Sequence, residues 1–220
     1  MIIDCHGHVS PPAQLWTYKA SIMSHRGAHG SRMPPVSDED ILYYANKKEM
    51  APCGHLDMLD KLKIDRQLIS PRPFQMAHSV KPGRVVHWFT EETNNIIHRT
   101  VQLMPERFFG IAGLPQVAGD PVENCLAELE RCVTQLGFRG CLLNPDPFEN
   151  GPEEAPALGD RYWYPYTRSC ANWMCPRIST PAPRNRNAHP TPCISSTRNQ
   201  LRWWAWSNPM CSRISPTSRS

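Results

Sequence analysis

The chain has 220 residues, enough for one domain with a substantial core but slightly fewer than the ~250 of a typical complete (β/α)₈ barrel. No segment approaches the ~20 apolar residues of a membrane span, and no basic segment precedes an apolar run at the N-terminus, so neither a membrane helix nor a secretory signal is expected. The nine cysteines are scattered and form no CxxC pair. They favour reduced thiols and a cytoplasmic location over disulfides or a cysteine-zinc ribbon.

The net charge of +4 conceals two different parts of the chain. Residues 1–160 carry 15 Lys and Arg against 20 Asp and Glu, whereas residues 161–220 carry nine Arg and no Lys, Asp, Glu or Gly. Such a long stretch without these common residues is far outside ordinary usage. We therefore expect residues 166–220 to form a disordered or poorly structured tail.

Short apolar strands alternate with helical patterns over the first 166 residues. Strands are predicted at 1–6, 66–70, 108–114 and 138–143. Helices are predicted at 38–46, within a polar insertion over residues 10–50, and at 55–62, 85–104 and 121–136, with another beginning at 160–166. This alternation predicts an α/β fold with a parallel sheet covered by helices on both faces.

Two histidines at the end of the first predicted strand are the sharpest chemical signal. His6 and His8 are two positions apart, so in a strand their imidazoles project from the same face, and Gly7 lets the backbone bend between them. Neutral imidazole is a good ligand for divalent transition metals. The pair alone is a weak motif, and two ordinary histidines near a terminus are the alternative. Its place at a strand end, after Asp4, favours a metal site.

Residues 3–8 resemble the first metal-binding motif of the amidohydrolase superfamily, in its decarboxylase and hydratase branch. Further segments are similar to the 4-oxalomesaconate hydratase family within that branch: 70–72, 114–116, 128–133, 136–138, 140–141, 143–147 and 160–165. The resemblance covers most of residues 1–165, apart from the insertion at 10–55. It implies a metal-dependent hydrolase fold of the TIM-barrel type, with the first half of the barrel, about four βα units, in residues 1–165.

The resemblance also implies a cofactor and a reaction. One divalent metal, with zinc as the expected ion, would be held by His6, His8, a histidine at the end of strand five and an acidic residue at the end of strand eight. The family reaction adds water across a carbon–carbon double bond of an unsaturated oxo-tricarboxylate, in the breakdown of lignin-type aromatics. A Lewis-acid metal and a protein acid or base are what such an addition needs.

Other functions stay open at this point. A non-oxidative decarboxylase or a hydrolase of the same superfamily would share the metal motif. A non-catalytic product whose basic, Trp-containing tail binds nucleic acid is an alternative of a different class, although no nucleic-acid-binding motif is present. We expect a small polycarboxylate as the partner, no nucleic acid or membrane, and a homo-oligomer as an option for an intact chain.

Three residues are candidates for substrate binding. Arg72 follows the second strand, where its guanidinium would suit a substrate with several carboxylates, or it is a surface arginine in a loop. Asn144 follows the fourth strand and could line the mouth of the site, but a turn role in Asn-Pro-Asp-Pro is the alternative. His78 lies six residues after Arg72 and could approach the same site.

The family's remaining functional residues should lie beyond residue 165, and none is present, so the catalytic acid and base are unknown. Reading the codons of residues 167–180 one base out of register permits, with suitable wobble bases, EKLCELDVPAHIHA. Its Asp and Val are forced, because Trp173 and Met174 have single codons. This string ends a helix and places His-Ile-His where the family has strand five. We infer a frameshift close to Tyr166, which would leave the 220-residue chain inactive.

Overall fold

A computed structural model describes residues 1–48, 52–72, 75–149, 151, 153, 155–172 and 177–179. The strands are β1 (Ile3–Gly7), β2 (Arg66–Ile69), β3 (Phe108–Gly110), β4 (Cys141–Leu143) and β5 (Arg177–Ser179). The helices are α1 (Ala13–Ser24), α2 (Asp38–Ala45), α3 (His55–Lys61), α4 (Arg84–Leu103), α5 (Leu126–Thr134) and α6 (Tyr164–Asn172). Short 3₁₀ turns at Val122–Cys125 and Arg161–Trp163 lead into α5 and α6.

All strand pairings between these elements are parallel. Strands β1, β2 and β3 are neighbours in that order, with Ile69 opposite Gly110 at the end of the β2–β3 pair. A single parallel bridge from Ala112 to Cys141 links the segment after β3 to β4, and β4 pairs with β5. The parallel α/β fold predicted from the sequence is thus confirmed. Because the strands run in one direction, their carboxyl ends lie at a common edge, where functional groups gather in such folds.

The main core lies between the sheet and the helices that connect its strands. Ile69, Phe108 and Leu143 from the strands pack with Leu129 of α5 and with Trp163, and all five side chains are buried. Each such side chain contributes roughly 1.5–3 kcal/mol by leaving water. Packing against the helices therefore holds in place the strands that carry the candidate site.

The insertion at residues 10–50 contains a helix that the sequence analysis did not predict. Helix α1 buries Leu15, Tyr18 and Ile22, which are spaced three and four residues apart, and packs them against Val85 and Phe89 of α4. Helix α2 has the predicted position, and the Ser37 side chain caps it. The insertion thus forms a second, smaller core beside the ends of β1 and β2.

Several boundaries differ from the sequence-based expectations. The third and fourth strands are shorter than predicted, and the helix predicted over 121–136 starts as a 3₁₀ turn and ends before Gly137, whose φ is +68°. Regular structure also continues past residue 166, where an irregular tail was expected. Helix α6 reaches Asn172 because Tyr166 and Cys170 are buried in the core, and β5 follows it. The remainder of that expectation, residues 180–220, lies outside the described residues.

Within the described part of the chain, no helix combines the length and apolar character needed to cross a bilayer.

Candidate metal centre and carboxylate site

His6 and His8 direct their imidazoles at one point beside the end of β1. Their Nε2 atoms are 3.2 Å apart and their rings are nearly perpendicular. The Nδ1 of His8 lies 2.9 Å from the Ser70 carbonyl oxygen, which can only accept a hydrogen bond, so Nδ1 carries the proton and Nε2 has its lone pair free for a ligand role. Two nitrogens ~2.0–2.1 Å from a tetrahedral metal are roughly 3.3 Å apart, so this pair fits a single metal ion.

The end of β1 is held by a short chain of polar side chains. The Asp4 carboxylate accepts hydrogen bonds from the His6 backbone N–H and from the Gln67 side-chain amide. Gln67 in turn binds His55 through its carbonyl oxygen. Asp4 therefore holds the backbone at His6 in place. Gly7 leaves space for Gln67, because a Cβ at residue 7 would lie 2.1 Å from Gln67 Cδ.

The surroundings of His8 favour the neutral imidazole that a metal requires. Burial is the largest effect and lowers the pKa of His8 below its ordinary 6.5, while the hydrogen bond with Ser70 acts in the opposite direction. The neighbouring charges of His6 and Arg72 lower it further. His8 consequently stays deprotonated at lower pH than a free histidine.

Among the described residues, His6 and His8 are the candidate metal ligands. Among those residues, no group of three or more His, Cys, Asp and Glu side chains gathers closely enough to hold an ion. A protein zinc site has three or four protein ligands. Two histidines are therefore fewer ligands than such a site needs.

Arg72 follows β2 on the same edge of the sheet as His8. It lines a largely apolar cavity together with Val9, Ser70 and Met76, and also a second, more polar cleft formed with the insertion. Ser70, the hydrogen-bond partner of His8, is two residues away in sequence. The Arg72 charge is close enough to His8 to lower the pKa of that imidazole, although neither histidine lines the two cavities.

His78 and Asn144 are joined to each other through Gln116. His78 is 2% exposed, its Nδ1 donates to the Gln116 carbonyl at 2.9 Å, and burial lowers its pKa to about 4. The Gln116 side chain binds the Asn144 backbone at both its C=O and its N–H. The Asn144 side chain accepts from the Asp146 N–H, as a turn residue does. Both residues lie outside the two cavities that Arg72 lines.

The sequence analysis missed Gln116 and Lys47 as candidate residues. Gln116 belongs to one of the family-like segments, but nothing in its pattern shows that it binds two other candidates. Lys47 comes just after α2 and lines the polar cleft beside Arg72. The insertion contains no repeat or motif that would have pointed to it.

Comparisons with known proteins agree with this fold. The Amidohydrolase family model matches residues 3–176. The chain is 38% identical over 169 residues to the 2-keto-4-carboxy-3-hexenedioate hydratase of Sphingobium sp. (strain NBRC 103272 / SYK-6), covering 76% of this chain and 48% of that protein. A crystal structure of 4-oxalomesaconate hydratase from Rhodopseudomonas palustris superposes with a TM-score of 0.70 and 29% identity, over 83% of this chain and 53% of that one.

A more distant structure shares the fold alone. The 5-carboxyvanillate decarboxylase of Novosphingobium aromaticivorans, solved with bound manganese, has a TM-score of 0.54 and 18% identity, covering 83% of this chain and 51% of its own. Since the family model covers most of the sequence, this chain belongs to the amidohydrolase family. It spans about half the length of the relatives it matches.

Proposed function

We propose that the chain derives from a metal-dependent hydratase that adds water across a carbon–carbon double bond of an unsaturated oxo-tricarboxylate. The observation that carries the proposal is the pair of Nε2 atoms of His6 and His8, 3.2 Å apart at the carboxyl end of β1. The 38% identity to a hydratase supports the reaction class. The scattered cysteines of the sequence, which form no CxxC pair, support a reducing, cytoplasmic setting.

The first proposed role is metal binding. His6 and His8 would hold the divalent metal, and Ser70 fixes the His8 tautomer. When bound, such an ion supplies Lewis-acid stabilisation of developing negative charge. Zinc suits imidazole ligands, whereas a structural relative contains manganese, so metal analysis has to separate the two.

Arg72, His78 and Asn144 are the proposed substrate-binding residues. The Arg72 guanidinium can bind a carboxylate with two parallel hydrogen bonds. His78 is neutral near pH 7 and its Nδ1 proton is already donated to Gln116, so its Nε2 can accept a hydrogen bond. Asn144 has its backbone fixed by Gln116 at the end of β4.

We further propose that the reading frame breaks close to Tyr166 and that this 220-residue chain is inactive. The described residues supply two candidate metal ligands, His6 and His8, and the family-like His-Ile-His string appears only in the shifted frame. A metal site that lacks part of its ligand set loses affinity steeply. Restoring the frame would add the strand-five ligands.

The test is to express the 220-residue chain and a version with the frame restored near codon 166. We expect stoichiometric metal, and loss of the ultraviolet absorbance of a conjugated oxo-tricarboxylate, only in the restored version, with activity lost on His6→Ala or His8→Ala. Hydration by the 220-residue chain would refute the frame break. Release of CO₂ from an aromatic carboxylate, without hydration, would instead indicate the decarboxylase alternative.

A further inference from the structure

A polar cleft of about 250 Å³ lies between the loop after β1, the first turn of α1, the end of α2 and the loop after β2. Ser10, Trp16, Tyr44, Lys47 and Arg72 line it. Whole ligand sites usually have volumes of ~300–1,000 Å³, so a cleft of this size suits one end of a small ligand. Most of its wall comes from the insertion at residues 10–50, to which the proposed chemistry assigns no role.

Two cationic side chains meet in this cleft. Lys47 and Arg72 are both half-buried, and within the described residues neither forms an ion pair with a carboxylate. Four other cations do have acidic partners: Lys81 with Asp120, Arg99 with Asp38, Arg107 with Asp60 and Arg131 with Glu128. None of the described residues that line the cleft is acidic. Two like charges in a small, partly desolvated space repel one another, and an anion between them removes that cost.

The aromatic side chains give the cleft a defined shape. The Lys47 ammonium lies 4.9 Å from the centre of the Tyr44 ring and 5.9 Å from that of Tyr43, so the rings hold the lysine in place. Trp16 and Tyr44 add flat apolar surface to the wall. Such surfaces suit a planar, conjugated carbon chain whose charges lie at its ends.

Arg72 relates the cleft to the proposed metal centre, because it lines the cleft and its charge lowers the pKa of His8. Ser10 is two residues after His8, and Arg72 is two residues after Ser70, the partner of the His8 imidazole. Arg72 lines both this cleft and the cavity that includes Ser70. A ligand with one end near the histidine pair can therefore extend its other end toward Lys47.

We propose that Lys47 and Arg72 form a two-cation subsite for the carboxylate end of the substrate that is remote from the metal. This rests on the proposed function for the identity of the substrate, but the subsite itself requires neither metal nor catalysis. It assigns a role to the insertion: selection of polycarboxylates over monocarboxylates.

The test uses calorimetric binding to the metal-free 220-residue chain at low ionic strength. The probes are trans-aconitate, an unsaturated tricarboxylate, and crotonate, an unsaturated monocarboxylate. We expect trans-aconitate to bind and crotonate to bind at least about tenfold more weakly, since losing one charge-assisted hydrogen bond weakens binding by about tenfold or more. Lys47→Met should weaken trans-aconitate binding about tenfold or more, whereas Lys47→Arg, which keeps the charge, should retain it.

Lys48→Met is the matched control, because Lys48 is the exposed neighbour of Lys47 and does not line the cleft. Equal affinities for the Lys47→Met and Lys48→Met variants, or equal binding of the two probes, would overturn the subsite. Circular dichroism on each variant separates lost binding from lost folding, and retained binding by Lys47→Arg excludes a purely structural effect. If the subsite binds as expected while the frame-restored enzyme fails to hydrate, the proposed reaction fails and the subsite stands.

Discussion

The side chain of Gln116 and the backbone of Asn144 exchange two hydrogen bonds, from Nε2 to the Asn144 carbonyl at 2.7 Å and from the Asn144 N–H to Oε1 at 2.8 Å. The Gln116 carbonyl also accepts the Nδ1 proton of His78 at 2.9 Å. All three residues are at least 92% buried. One amide side chain thus connects the segments that follow β3 and β4.

Replacing Gln116 with Leu should destabilise the fold by roughly 2–4 kcal/mol, because it leaves a buried N–H and a buried C=O of Asn144 without partners. Urea unfolding followed by circular dichroism measures the change. Gln102→Leu, at an exposed position of α4, is the control and should shift the midpoint little. Equal midpoints for the two variants would show that the exchange with Asn144 has no energetic weight.

Zinc binding should depend on His6 and His8 and not on the other close histidine pair, His25 and His29. The rings of that second pair lie 5.2 Å apart, close to the 4.9 Å of His6 and His8, but both of its histidines are outside the candidate site. Competition with a chromophoric chelator should show weak zinc uptake by the 220-residue chain, lost in His6→Ala and in His8→Ala. If zinc uptake were unchanged in these variants and lost in His25→Ala, the zinc site would have to be assigned to His25 and His29.

Gly7→Ala should destabilise the end of β1, because the added Cβ would lie 2.1 Å from Gln67 Cδ and displace the side chain that binds Asp4 and His55. Truncating Gln67 to Ala removes the collision. In the double variant, the two effects should therefore be less than additive, with a coupling of ~1 kcal/mol or more in unfolding free energy. Gly159→Ala, where no atom lies within 4 Å of the new Cβ, serves as control. Strict additivity would contradict the packing argument.

The free energy of unfolding should fall on acidification because of His78. Its pKa is about 4 in the fold against an ordinary 6.5, so below pH 6.5 the unfolded chain takes up a proton that the folded chain does not accept until about pH 4. The loss between pH 7.5 and 5 is about 2 kcal/mol. Urea titrations at both pH values should show a smaller difference in His78→Gln than in the parent. His29→Gln, at an exposed position, should match the parent; a His78→Gln variant that does the same would exclude this role.

The sequence predicted the sheet and the connecting helices because their patterns are local. Helix α5 carries its apolar residues at the helical period, and strand β2 is a short segment that ends before Pro71 and Pro73. The same reasoning missed α1, although Leu15, Tyr18 and Ile22 have helical spacing, because prolines and polar residues around it suggest an irregular insertion. The apolar face of α1 is buried by α4, which begins about 60 residues after α1 ends, so the contact cannot be seen from the local sequence.

Some residues of the candidate site could likewise be predicted from the sequence, and others could not. The His6–His8 pair is visible from the two-residue period of a strand, and Arg72 from its place after β2. The roles of Gln116 and Lys47 depend on contacts between elements that are distant in sequence, such as the 38 residues that separate His78 from Gln116. No local pattern encodes such contacts, so the structure was needed to reveal them.

Strand β5 is attached to β4 through parallel backbone pairing, Cys141 to Arg177 and Leu143 to Ser179. Every residue except proline carries the same backbone N–H and C=O groups. The pairing of β4 with β5 therefore depends little on which side chains β5 carries. A lesion that rewrites codons can consequently preserve a strand while erasing the donors it once carried. Under the proposed frame break, the fold would continue past the point where the metal-binding side chains are lost. A damaged enzyme gene could then be recognised by a strand that keeps the family's backbone pairing but carries none of its ligands.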